Sequence, residues 1–325
     1  MSTNIGPDGA PDAFAVPPHA AAKLGPVGSA QGPGATLPRG EIGLLGVLMP
    51  GLAQVAPAFN LFFTTGLMAA FAGASVPLVF LISMVGLIAT AASLALFSGV
   101  FPSAGSFLTY IARSMGARTS VVVGVITLLG YIIAFGGIYI FVGQYIVQNV
   151  FNSPHIWGIT QIVTILYGIL VVAPVVLGLK FGVRTTVVLY LFEVVLLLVL
   201  AITVLAKGGA QGLSGTPFTW PSGSGTKDIF IAFSLAVLAF GGFEAAAPLA
   251  EETRNPRRNV PLAVIGTVVI SGILYVFCSY ALIIAFGPSH TGGLTTDPNP
   301  FHTAAQHFIA PLAPLITWIF LTSVT

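Results

Sequence analysis

Two interruptions of apolar sequence and one solitary acid carry most of the chemistry open to this chain. The first interruption is Gln54-Val55-Ala56-Pro57-Ala58. Proline has no N–H and its ring crowds the carbonyl four residues back, so a helix running through this stretch would leave the Ala53 carbonyl without its partner. The second is Ala239-Phe240-Gly241-Gly242-Phe243, followed at once by Glu244; each glycine costs a helix about 1 kcal/mol relative to alanine. The solitary acid is Glu193, nine residues past Arg184 and followed by thirteen uncharged residues. Freed carbonyls attract cationic groups and freed N–H groups attract carboxylates. An acid shut away from water can exchange a proton as its surroundings change.

The elements that position these residues are membrane spans. The chain has 325 residues, 56% hydrophobic and only 6% charged, with mean hydropathy +0.99; soluble domains carry about 25% charged residues, so a soluble protein is excluded. Residues 42–112 and 119–179 hold no Asp, Glu, Lys or Arg, and at ~20 residues per crossing each tract admits two or more helices. Continuous runs punctuated by Gly and Pro exclude the strict alternation of a membrane barrel. The expected fold is therefore an all-α polytopic membrane protein with spans at 42–68, 76–98, 119–149, 157–179, 185–206, 229–249, 260–286 and from about 308. The last run, 309–325, stops in apolar sequence, as a truncated second half would. Residues 1–40, with seven Gly and seven Pro, read as a disordered tail, and no signal-peptide core precedes the first span. The net charge of +2 gives no ground for a nucleic-acid partner, and the single cysteine, Cys278, excludes an intrachain disulfide.

Basic residues near span ends stay in the cytoplasm. With the amino terminus inside, Lys23, Arg39, Arg113, Arg118, Lys180, Arg184, Arg254, Arg257 and Arg258 fall on the cytoplasmic side, and only Lys207 and Lys227 outside. The two interruptions lie in the first and sixth spans, which enter from opposite sides. Paired breaks in corresponding spans of two halves point to a transport site at the midplane. Each broken helix offers a carbonyl end and an N–H end there, a combination suited to a zwitterion. Candidate substrate-binding residues are Gln54, Val55, Ala56, Pro57, Ala58, Ala239, Phe240, Gly241, Gly242 and Phe243.

The run Phe240-Gly241-Gly242-Phe243-Glu244, followed by Glu251-Glu252-Thr253-Arg254-Asn255-Pro256-Arg257-Arg258-Asn259-Val260-Pro261, resembles the sixth span and following loop of amino acid permeases in the amino acid/polyamine/organocation (APC) superfamily. A second stretch, from Phe101-Pro102-Ser103-Ala104-Gly105 to Ser114-Met115-Gly116, is similar to the family's loop between spans two and three. The resemblance covers about residues 42–325. It implies the leucine-transporter-type inverted five-helix repeat: residues 41–206 as the first repeat, 207–228 as an external loop and 229–325 as a partial, truncated second repeat. It also implies secondary transport of amino acids or related amines across the plasma membrane by alternating access, with a coupling proton or Na+ and no cofactor. Where many relatives carry a Gly-Ser/Ala-Gly break, this chain has Ala56-Pro57-Ala58, so the proline removes one N–H that would face a substrate carboxylate. Phe240 and Phe243 resemble the aromatic region beside the family site.

Glu193 is the candidate for proton or ion coupling, against a structural hydrogen bond to a neighbouring span. Glu244 is either a gating or ligand-contacting acid or an anchor for backbone N–H groups freed at the break. Glu251 or Glu252 pairing with Arg113 would make an inside gate. In the third span Tyr131 and Gln144 are candidates to line the pathway, and Gly130, Gly136, Gly137 and Gly143 to allow close helix packing. His290, His302 and His307 lack ligand spacing, so no metal is expected. No phosphate-binding loop and no nucleophile motif occurs, so an ATP-driven pump is unsupported and an enzyme is not expected. Two alternatives stay open at this stage: an amino acid/polyamine exchanger and, from another class, a non-transporting membrane receptor or scaffold.

Overall fold

The computed structural model describes residues 42–151, 158–176, 183–221, 224–297 and 299–319. The expected tail 1–40, Lys180 and residues 320–325 of the last apolar run lie outside them. All the extended elements within them are helical. The first span is split into α1 (Leu44–Gln54) and α2 (Pro57–Ala72), and the second is α3 (Val76–Val100). A short helix, α4 (Ser106–Met115), precedes α5 (Ala117–Phe151), α6 (Ile159–Val176) and α7 (Val183–Ala206). The sixth span is split into α8 (Thr226–Ala239) and a 3₁₀ segment, Phe243–Glu251, and the seventh is α9 (Pro256–Phe286). Five described stretches are long and apolar enough to cross a membrane, the first of them, Leu44–Val100, covering 57 residues and so more than one crossing.

Prolines set several starts. Pro57, Pro256 and Pro300 each occupy the first turn of a helix, where the missing N–H has no intrahelical acceptor to lose. Residues 287–307, expected as an outer loop before the last span, contain two further helices, α10 (Thr291–Thr296) and α11 (Pro300–Ile309). The signal was local: the Asn299 side chain caps α11 by accepting from the His302 N–H at 3.1 Å, a cap followed by Pro at the first helical position. The apolar run from about 308 is likewise interrupted, by a 3₁₀ turn at Ala310–Leu312 before α12 (Ala313–Trp318).

The core is built on α9, which packs along α3 and also against α1, α7 and the 3₁₀ segment. The α3–α9 contact is close because Gly272 has no side chain: a Cβ there would approach the Met84 sulfur to 2.4 Å. Phe80 and Tyr275 meet one turn further along, ring centroids 5.2 Å apart. The α5–α6 pair uses the same device once, with Gly143 pressed against Thr164, where an added Cβ would fall 2.0 Å from Oγ1. Gly130, Gly136 and Gly137 face open space, so of the four glycines expected to permit close packing only Gly143 does so. The outward side of α5 carries exposed Val121, Val125, Ile126, Ile132 and Ile133, the composition of a surface in contact with lipid.

Different loops meet at the two ends of the bundle. At one end Ile42 forms a parallel β-bridge with Thr253: the Ile42 N–H donates to the Glu252 carbonyl at 3.2 Å and the Arg254 N–H to the Ile42 carbonyl at 2.8 Å. The Ala104 N–H donates to Glu251 Oε1 at 3.1 Å, bringing the loop after the second span to the same end. At the other end Ser224 donates to the Phe71 carbonyl at 2.8 Å and Lys207 to the Phe308 carbonyl at 2.6 Å. The expected gate between Glu251 or Glu252 and Arg113 is not formed. Glu251 holds the Ala104 amide instead, and the Arg113 guanidinium lies 4.7 Å from the centre of the Phe101 ring, a cation–π contact that leaves the acid to the backbone.

Candidate functional site

The break in the first span is two residues long. α1 ends at Gln54, Val55 caps it, and Ala56 takes left-handed backbone angles, φ +48° and ψ +63°. That conformation is unfavourable for an L-residue with a Cβ; here it turns the chain so that Pro57 can begin α2. The carbonyl expected to be orphaned, that of Ala53, is answered locally by the Ala56 N–H at 3.0 Å in a tightened last turn. The freed acceptor is the Val55 carbonyl, which receives Asn60 Nδ2 at 2.5 Å and lies 3.3 Å from the Tyr275 hydroxyl.

The break in the sixth span is made differently. α8 ends at Ala239, Phe240 caps it, and the Gly241 N–H closes on the Leu238 carbonyl at 3.0 Å. Gly242 then takes φ +103°, a region that glycine enters without steric penalty, and the chain resumes as the 3₁₀ segment. Glu244 lies just past the turn and folds back on it. Its Oε2 accepts from the Gly242 N–H at 3.2 Å, while Oε1 accepts from the Tyr131 hydroxyl of α5 at 2.8 Å. Glu244 thus has the anchoring contact, and Tyr131 ties the third span to the break.

The two breaks meet. A Cβ on Gly242 would fall 2.8 Å from the Gln54 carbonyl oxygen and 2.9 Å from its carbonyl carbon, so main chain lies on main chain at the crossing. α1 packs beside the 3₁₀ segment and α2 beside α8, which places four helix ends around one point. Two are carboxyl ends, at Val55 and Ala239; two are amino ends, at Pro57 and Phe243. A carboxyl end carries roughly half a negative charge and an amino end roughly half a positive one, so the crossing offers both the groups an α-amino acid requires. Pro57 contributes no N–H to this set, so α2 presents its amides from Ala58 onward.

Tyr275 of α9 closes the arrangement from behind. Its side chain is fully buried, and its hydroxyl donates to the Ala239 carbonyl at 2.7 Å. Phe240, also fully buried, meets the Tyr275 ring edge-on with centroids 5.1 Å apart, whereas Phe243 is half-buried against the core. Glu193 is 1% exposed in α7, one turn after Tyr190. Three polar side chains at the breaks, Asn60, Tyr131 and Tyr275, therefore come from three different helices. Gln144 lies on the exposed side of α5.

Asn60 and Tyr275 were absent from the residues expected at the site. A signal for Asn60 was present, since an amide side chain one turn after a proline break in an apolar helix needs a polar partner. Tyr275 gives no local signal: its acceptor Ala239 is 36 positions away, in another span.

A family model described as amino acid permease matches residues 46–325. The low-affinity putrescine importer PlaP of Escherichia coli is 27% identical over 259 residues, covering 76% of this chain and 54% of that protein. The branched-chain amino acid permease BcaP of Bacillus subtilis is 24% identical over 314 residues, covering 87% of this chain and 63% of that protein. A shorter match, 33% over 81 residues, joins a quarter of the chain to 13% of the cationic amino acid transporter 5 of Arabidopsis thaliana. The chain spans about half to two thirds of the length of the two longer matches. The family match takes in both broken spans, the acids after the second of them and the loop after span two, and these names are of permeases and not of enzymes: the chain is a multi-pass membrane protein that belongs to the amino acid permease family of the APC superfamily.

Proposed function

We propose that this chain works in secondary active transport of an amino acid or a related amine across the plasma membrane, by alternating access around the crossing of the two broken spans. The observation that carries this reading is the contact of Gly242 with the Gln54 carbonyl. It gathers two carboxyl ends and two amino ends at one place, and helix ends of both signs hold a zwitterion without any charged side chain. A relative named a putrescine importer and another named a branched-chain amino acid permease share the ammonium group, which fits a site whose constant feature is a pair of carbonyl ends. Residues 41–206 form the first five-helix repeat, 207–228 an external loop and 229–325 part of the second repeat, with the amino terminus in the cytoplasm.

A coupling proton is the favoured partner, and Glu193 its carrier. A carboxylate at bilayer depth costs ~2.5–3.5 kcal/mol on insertion scales, so one placed 1% exposed in α7, which packs against α9, is suited to change charge as the site opens and closes. Counterflow of labelled amino acids and putrescine in proteoliposomes tests the transport reading: saturable exchange supports it, and no exchange with any of them overturns it. Accumulation driven by a pH gradient tests the coupling. Glu193→Gln is expected to lose that accumulation while retaining substrate binding; full accumulation by the variant removes Glu193 from the coupling step, and a requirement for Na+ in its place assigns the driving ion.

A further inference from the structure

We propose that the surface where the end of α3 meets α4 and the start of α9 binds the phosphate group of an acidic phospholipid, held by Arg113, Arg257 and Arg258. In the orientation proposed above this lipid sits in the cytoplasmic leaflet; the inference is independent of the substrate site. Four exposed arginines, Arg113, Arg254, Arg257 and Arg258, belong to the loops that meet at this end. Of the acids beside them, Glu251 is turned to the Ala104 N–H, and among the described residues none of the four arginines makes an ion pair. Two contacts bring three of them to one helix end. The Arg113 guanidinium lies 4.7 Å from the centre of the Phe101 ring, which holds it in place without using its N–H donors. Gly99, two residues before Phe101, faces the first turns of α9: a Cβ there would come 3.5 Å from the Arg257 carbonyl oxygen and 3.6 Å from Pro261.

The residue type narrows the partner. Keeping a loop in the cytoplasm requires positive charge and is served by lysine as well as by arginine. Yet these four are all arginine, while the basic residues assigned to the opposite side, Lys207 and Lys227, are lysine. A guanidinium presents a planar fork of donors that matches two phosphate oxygens, whereas an ammonium is a point charge. The surroundings select a lipid over a soluble phosphate. Leu96 and Val100, on the last turns of α3, are exposed. So is Leu262, four residues after Arg258 and therefore on the same face of α9. Apolar side chains exposed on a membrane helix border acyl chains, so a headgroup at the arginines lays its chains along α3 and α9. Basic residues at a membrane surface attract an anionic headgroup, and a zwitterionic one gains no such net attraction.

The experiment titrates dioctanoyl phosphatidylglycerol, dioctanoyl phosphatidylcholine and glycerol 3-phosphate onto the purified full chain in detergent and reads the thermal transition. The expected result is a saturable rise with phosphatidylglycerol at lower concentration than with phosphatidylcholine, and none with glycerol 3-phosphate over the same range. At roughly fivefold per arginine, the double substitution Arg257→Gln with Arg258→Gln raises the half-saturating concentration of phosphatidylglycerol about ten- to thirtyfold and leaves the phosphatidylcholine curve unaltered. Lys227→Gln, which removes an exposed charge away from this surface, changes neither curve. Arg113→Gln is expected to weaken phosphatidylglycerol about fivefold and serves if the double variant has no cooperative transition. An equal response to the two lipids, or an undiminished phosphatidylglycerol response in the arginine variants, overturns the inference. A response to glycerol 3-phosphate as strong as that to phosphatidylglycerol overturns it in favour of a free phosphate. Substrate counterflow is untouched by any of these outcomes.

Discussion

The two breaks reach the same geometry by opposite means. In the first span a proline ends α1 and forces a residue with a side chain, Ala56, into a left-handed turn at φ +48°; the acceptor this frees, the Val55 carbonyl, is satisfied by Asn60 of the same span. In the sixth span Gly242 takes φ +103° without strain, and the donor that the turn frees is satisfied within two residues by Glu244. Each break is thus closed by a side chain of its own span, but the first holds an unfavourable backbone conformation, while the second takes support from other helices through Tyr131 on Glu244 and Tyr275 on the Ala239 carbonyl. A rearrangement that moves one partner of the pair more than the other would draw on this difference, since only the first break holds a strained turn.

The largest expected effect in this comparison is at Gly242. In Gly242→Ala the added Cβ falls 2.8 Å from the main-chain oxygen of Gln54 at a backbone angle of φ +103°, so the crossing must open. We expect about 2–3 kcal/mol of destabilisation, read as a lower thermal transition in detergent, and at least a tenfold loss of substrate affinity in binding assays. Asn60→Ala comes next. It leaves the buried Val55 carbonyl with only the distant Tyr275 hydroxyl at 3.3 Å, which costs about 1–3 kcal/mol for a poorly satisfied buried acceptor and should speed hydrogen exchange in the amides of α2 while sparing α8. Ala56→Gly tests the strain directly: glycine relieves the left-handed turn, and the balance against its greater chain entropy predicts a stabilisation of about 0.5–1 kcal/mol, seen as a raised transition temperature. The smallest effect belongs to Glu244→Gln, which keeps an oxygen for the Gly242 N–H and should lower stability by less than about 1 kcal/mol; Glu244→Ala, which removes that acceptor, should lower it more.

Both breaks were legible in the sequence because proline and paired glycine act on the backbone at their own positions. The same holds for the spans, whose length and lack of charge are local. Packing partners were not legible. Tyr275 is one aromatic residue in an apolar helix, and nothing near it in the chain indicates that its hydroxyl meets Ala239. Glu244 and Tyr131 could each be singled out, yet only the fold brings them to 2.8 Å. The glycines of α5 illustrate the same limit: four were candidates for close contact, and the helix turned one of them, Gly143, toward a neighbour.

The central claim is that main-chain groups at the crossing of the two broken spans bind the substrate. Equilibrium binding of labelled amino acids and putrescine to the purified protein, compared with Gly242→Ala under conditions where both give a cooperative thermal transition, tests it most directly. The account predicts saturable binding of at least one of these ligands, reduced at least tenfold by the substitution. Binding of equal strength in the two proteins would contradict it.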